Sequence, residues 1–185
     1  MFKTRRLVQA GLLTAFGVVL EVFFAFSIFP PAPYLRYAPG DIPLLWVGYA
    51  FGPLWGVISV AVKAVLYTLM RGGDGGGWGT LMHFLASSAF VVVFSLFARQ
   101  KSKSPIPTLL GLALGTLARV GIMVPANLLI TPIYLKTTLE AVKELIIPII
   151  IPFNLLHSGV NSVLFFLMRL AVGDRLSSYL LKKED

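Results

Sequence analysis

Between Leu145 and Val172 the chain reads LIIPIIIPFNLLHSGVNSVLFFLMRLAV, an apolar run with one charge, Arg169, near its end. Crossing a bilayer takes roughly 20 mostly apolar residues, and this run is long enough. Within it Asn154, His157 and Asn161 stand at i, i+3 and i+7, positions that a helix gathers on one stripe. Amide and imidazole groups turned toward lipid at that depth cost several kcal/mol, on the order given for unsatisfied buried polar groups. The stripe therefore faces the protein interior or a bound solute. The chain reads as a membrane protein that holds something.

Composition agrees. Hydrophobic residues fill 57% of 185 positions, mean hydropathy is +0.83 and only 13% of residues are charged. A soluble core of this size needs less apolar sequence. With no Cys, disulfides, thiolate metal sites and cysteine catalysis are excluded. The net charge of +8 could suggest nucleic acid, but the basic residues lie at the ends of apolar runs, a placement that suits anionic lipid and gives no reason to expect nucleic acid.

Working outward from that run, the first span is Leu7–Phe29, behind the basic cluster Lys3, Arg5, Arg6. It is too long for the apolar core of a signal peptide, and no small-residue cleavage site closes it. The loop PPAPYLRYAPGD follows, its prolines enforcing an extended path. Asp41 is placed to cap the next helix. Ile42–Met70 is divided by Gly52-Pro53 into two helices meeting at a tight turn, one ending near Phe51 and the next starting at Pro53. Trp78–Ala98 and Ile106–Tyr134 are further spans, separated by the basic linker RQKSKS; Lys136–Glu144 is a charged connection to the last span. The expectation is an all-α polytopic membrane protein: six transmembrane helices forming a single substrate-binding domain over residues 1–185.

Charge placement orients it. With the N-terminus inside, ten basic residues (Lys3, Arg5, Arg6, Arg99, Lys101, Lys103, Arg169, Arg175, Lys182, Lys183) are internal and four (Arg36, Arg71, Lys136, Lys143) external. Both termini are therefore expected to be cytoplasmic. Adding or removing one span would put a basic cluster outside.

Enzymatic readings find little support. The chain has two histidines, His83 and His157, and no HExxH, GxSxG or paired-carboxylate motif; no catalytic or metal-ligating residue is assigned. The glycine-rich RGGDGGGWG lacks the Gly-Lys-Ser/Thr of a phosphate loop and reads as an external turn. Small residues recur four apart: Ala10/Thr14, Gly11/Ala15, Gly48/Gly52/Gly56 and Gly111/Gly115. Most such pairs serve packing within a bundle, while Gly11 and Ala15, beside the basic cluster, are candidates for a partner surface. Lys63 and Arg119 are charges inside apolar runs, serving either an ion pair (Glu21 being the acid deep in a span) or a ligand. Asn127, between Pro125 and Pro132, serves either the helix kinks or a ligand.

Five segments carry a resemblance: YLRYAPGDIP (Tyr34–Pro43), GYAFGPLWG (Gly48–Gly56), MHFLASS (Met82–Ser88), VPANLLITPIY (Val124–Tyr134) and IPFNLLHSGVNS (Ile151–Ser162). In this order, over most of the chain, they resemble the riboflavin-binding type of substrate-binding S component of energy-coupling-factor (ECF) transporters. The resemblance implies vitamin capture from outside and delivery inward, with a membrane-embedded T component and two cytoplasmic ATPase subunits hydrolysing ATP. It implies a multi-pass protein of a prokaryotic cell membrane, with riboflavin as transported ligand and no cofactor.

By position, the resemblance implies a first loop closing over the ligand with Tyr34, Leu35, Arg36 and Tyr37. It implies amides at Asn127 and Asn154 on the flavin, with His157 and Asn161 on the same stripe, and docking of the T component on Gly11 and Ala15. The chain departs from the family pattern at His157, where lysine is frequent, and at Thr80 and His83. These departures point to a shifted contact set or to a flavin derivative such as the mononucleotide. Tyr34, Tyr37, Trp78, Asn127 and Asn154 supply the mix of aromatic wall and amide that a flavin needs. Two other readings remain: an S component for a different vitamin, and an intramembrane enzyme.

Overall fold

The computed structural model describes residues 2–28, 30, 32–33, 35–72, 76–98 and 104–181. Tyr34, the glycine-loop residues 73–75, the linker residues 99–103 and Lys182 and Lys183 lie outside these described residues. The helices are α1 (Phe2–Phe24), α2 (Asp41–Phe51), α3 (Pro53–Arg71), α4 (Gly76–Phe97), α5 (Ile106–Leu135), α6 (Leu139–Leu145) and α7 (Ile151–Leu181). A π-helical turn, Ile146–Ile150, joins α6 to α7, and two-residue strands β1 (Phe26–Ser27) and β2 (Arg36–Tyr37) lie between α1 and α2. Among the described residues the secondary structure is thus helical apart from one short antiparallel ribbon, in which Phe26 faces Tyr37.

Among the described residues, four segments are long and apolar enough to cross a membrane: Thr4–Phe24, Pro53–Arg71, Gly76–Phe97 and Ile106–Leu135. α2 is apolar but has only 11 residues. α7 has 31 residues and buries Asn154, His157, Ser158 and Asn161. Large apolar side chains such as Leu12, Phe23, Leu54, Leu69 and Leu129 face outward, as a lipid-facing surface requires.

The break at Gly52-Pro53 falls where the sequence places it. Gly52 has φ 94, a conformation suited to glycine, its N–H bonds to the Gly48 carbonyl, and Pro53 opens α3. Three other details differ from the sequence reading. α1 ends at Phe24 rather than Phe29, because Arg71 donates to the Val22 carbonyl at 2.6 Å and Arg36 to the Ala25 carbonyl at 2.8 Å. These guanidinium groups satisfy the carbonyls a helix end leaves open. The charged connection contains a helix, α6, capped by the Thr138 side chain, which accepts from the Ala141 N–H at 3.2 Å. Asp41 is the first residue of α2 but does not cap it, since its carboxylate turns into the bundle.

Gly48, Gly56, Gly111 and Gly115 pack as expected, whereas a Cβ on Gly52 would meet nothing within 4 Å. A Cβ added at Gly115 would lie 2.8 Å from the Phe90 carbonyl, and one at Gly111 would lie 2.9 Å from that of Phe94, so α5 rides directly on the α4 backbone. Trp46, Tyr49, Phe94 and Phe165 form an aromatic cluster between α2, α4 and α7, with Phe94 and Phe165 ring centroids 4.9 Å apart. Gly11 differs: nothing lies within 4 Å of where its Cβ would be, and Ala15 is exposed one turn on. The inward face of α1 is carried by Ala10, Thr14, Gly17, Val18 and Glu21.

Gly115→Ala should lower the melting temperature of the detergent-solubilised protein, since overpacking costs about 1–3 kcal/mol. Gly121→Ala, whose added carbon meets nothing within 4 Å, should leave that temperature unchanged or raise it.

Candidate functional site

Loop 1, the chain between α1 and α2, folds down into the bundle. Gly17 and Gly40 make this possible, because a Cβ on Gly17 would sit 2.8 Å from the Gly40 carbonyl. That close approach delivers Asp41 to the interior, where it is fully buried. Its Oδ1 pairs with Lys63 Nζ at 2.7 Å, and its Oδ2 pairs with Arg119 Nη1 at 2.9 Å and accepts from Ser87 Oγ at 2.9 Å. Lys63 also pairs with Glu21 at 2.9 Å. Two carboxylates and two cations thus cancel inside the bundle, binding α1, α2, α3 and α5 together.

Beside this network lies a half-open cavity. Its walls mix apolar and aromatic side chains (Met82, Ala86, Met123, Tyr67, Tyr134, Phe153) with polar ones (Glu21, Arg36, Thr80, His83, Arg119, Asn127, Asn154). Leu35 lines it from loop 1. Among the described residues, His83 Nε2 is a buried atom without a hydrogen-bond partner, 3.7 Å from Glu21 Oε1.

Of the residues singled out in sequence, Leu35, Arg36, Thr80, His83, Arg119, Asn127 and Asn154 meet at this cavity. His157 and Asn161 do not line it; they brace loop 1. Tyr37 donates its hydroxyl to Asn161 Oδ1 at 3.2 Å and packs edge-on against His157, with centroids 5.2 Å apart. Burial, and then the nearby Asp41 and Glu21 carboxylates, push the Tyr37 phenol up to about 12, so it stays a neutral donor. Trp78 is 43% exposed and is not part of the lining; Tyr67, Tyr134 and Phe153 supply the aromatic wall instead.

Asn127 does not serve the proline kinks. Pro125 and Pro132 free the carbonyls four residues earlier, those of Gly121 and Leu128, whereas the Asn127 amide donates to the Met123 carbonyl at 2.7 Å. Its oxygen accepts from Thr131 at 2.9 Å. Sequence reasoning missed Asp41 as an interior charge, together with Gly17 and Gly40. The spacing Gly17-x-x-x-Glu21 on one face of α1 was the available signal.

A membrane-type helical bundle with a half-enclosed cavity, apolar walls and orientated amides defines a solute-binding membrane protein. The chain belongs to the ECF transporter substrate-specific component family, whose model matches residues 5–169. The family is a transporter component, not an enzyme. The chain is 30% identical to the riboflavin transporter RibU of Staphylococcus aureus over 91% of this chain and 90% of that one. It is 29% identical to the riboflavin transporter FmnP of Bacillus subtilis, over 90% of each. A solved structure described as the S component of a bacterial ECF transporter superposes with a TM-score of 0.79 at 29% identity, covering 94% of this chain and 98% of that one.

Lys63→Met would leave Glu21 and half of Asp41 uncompensated, and removing one partner from a buried pair costs about 3–5 kcal/mol. The expected result is a large drop in melting temperature. Adding Glu21→Gln, which removes one charge of each sign overall, should recover part of it.

Proposed function

We propose that this chain captures riboflavin from the outside of a prokaryotic cytoplasmic membrane and delivers it inward as one subunit of an ATP-driven complex. The observation that carries this reading is the cavity, whose aromatic and thioether walls suit a broad flat ring and whose amides suit its polar edge. The relatives named as riboflavin transporters support the same ligand. Asn127 and Asn154 are read as the amides that meet the flavin, Leu35 and Arg36 as the loop residues beside it, with Tyr34 and Tyr37 in the same loop. His157 and Asn161 hold that loop in place.

The whole chain is read as one substrate-binding domain with six crossings: α1, α2, α3, α4, α5 and α7. α2 is short because loop 1 descends to meet it. The ten-to-four excess of internal basic residues supports cytoplasmic termini. The partners are read as a membrane-embedded T component and two ATPase subunits, with α1 docking on the T component through Gly11 and Ala15. Both small residues sit on the outward face of α1, where a partner helix can approach closely.

Purified protein should quench riboflavin fluorescence. Asn154→Ala and Asn127→Ala should each weaken binding by roughly 5–150-fold, the loss of one buried hydrogen bond at about 1–3 kcal/mol. Leu129→Ala, on the outward surface, should titrate like the parent. Parental affinity in both folded asparagine variants would remove the amides from the site.

Gly11→Leu combined with Ala15→Leu should retain riboflavin binding while abolishing ATP-dependent uptake and co-purification with the T component. Normal assembly and transport by that variant would place the docking surface elsewhere.

A further inference from the structure

Asn154 meets the cavity with an amide whose two ends are already committed. Its oxygen accepts from Arg119 Nε at 3.1 Å, and its nitrogen donates to the Ile150 carbonyl at 2.9 Å. Turning the amide over would set its NH₂ against a guanidinium N–H and its oxygen against a carbonyl oxygen, so one orientation is enforced. In that orientation the group still has a second N–H to offer. Asn127 is fixed similarly, but by Met123 and Thr131 of its own helix. The lock on Asn154 comes from another helix. Arg119 is itself only 3% exposed, and its Nη1 is held by Asp41 Oδ2 at 2.9 Å. One planar guanidinium thus reaches the carboxylate and the amide at once, a geometry lysine cannot reproduce.

We propose that Arg119, anchored by Asp41, is a positioning residue that fixes the polarity of the Asn154 amide, so that Asn154 presents N–H to an acceptor on the ligand's polar edge. This rests on the riboflavin reading above and deepens it: the ion network at the cavity wall sets how the ligand is read as well as how the helices are held.

The test is a double-mutant cycle on riboflavin affinity, measured by fluorescence quenching on protein whose fold is checked by its melting curve. One background is the parent; the other is Asp41→Asn with Arg119→Gln, which removes one charge of each sign and leaves the Lys63–Glu21 pair intact. In the parent, Asn154→Ala should weaken binding by roughly 5–150-fold. In the altered background, binding should already be weakened by a comparable factor, and adding Asn154→Ala should change it less than about two-fold. The same Asn154→Ala factor in both backgrounds, or parental affinity in the altered background, would overturn the proposal.

Should that background fail to fold, Arg119→Lys takes its place with the same expectations, since it keeps the charge beside Asp41 and loses the fork. Asn154→Asp, an acceptor-only side chain beside Arg119, should bind no better than Asn154→Ala; binding at parental strength would refute the donor role. A parent that does not bind riboflavin would defeat the functional reading itself, whereas additivity in a parent that binds defeats only this inference.

Discussion

Asp41 has no exposure to solvent, and everything around it follows from the need to keep its charge compensated. A lone carboxylate inside a membrane bundle is costly, and so are the ammonium of Lys63 and the guanidinium of Arg119. Together with Glu21 they neutralise one another, and Ser87 satisfies part of the remaining acceptor capacity of Asp41. Because these groups come from different helices, the bundle satisfies them only when α1, α2, α3, α4 and α5 are all in place. Apolar packing alone gives weaker direction within lipid, where the surrounding tails are as apolar as the side chains. The charges specify which faces turn inward.

The same requirement shapes the cavity. For Asp41 to reach its partners, loop 1 must fold down against α1, and the Gly17–Gly40 contact removes the side-chain bulk that would prevent it. Once there, the loop is held by Tyr37 on Asn161 and His157, and by Arg36 on the end of α1. Leu35 and Arg36 then form part of the cavity lining.

The two faces of α1 illustrate a second division. Gly17 and Glu21 face inward, into the loop and the ion network, while Gly11 and Ala15 remain open on the outside. One helix carries both the wall of the substrate cavity and a surface smooth enough for another helix to approach. Under the proposed function, that places the cavity and the energised partner on opposite sides of a single element.

The sequence by itself marked the apolar runs, their helical character and the break between α2 and α3. Long apolar runs, Gly52-Pro53 and the small-residue spacings of α2, α3 and α5 act locally or through helical periodicity, which a linear chain displays directly. It also marked Asn127 and Asn154, since amides in apolar runs stand out, and through its family resemblance it anticipated the fold. Only the tertiary structure decided the roles of Asp41, Lys63 and Arg119, and the separation of His157 and Asn161 from the cavity that Asn154 lines. Asp41 stands next to a proline-rich loop in the sequence and reads as a helix cap. Its partners lie 22 and 78 residues away, and local pattern carries no signal for a charge whose compensation depends on how distant helices are folded together.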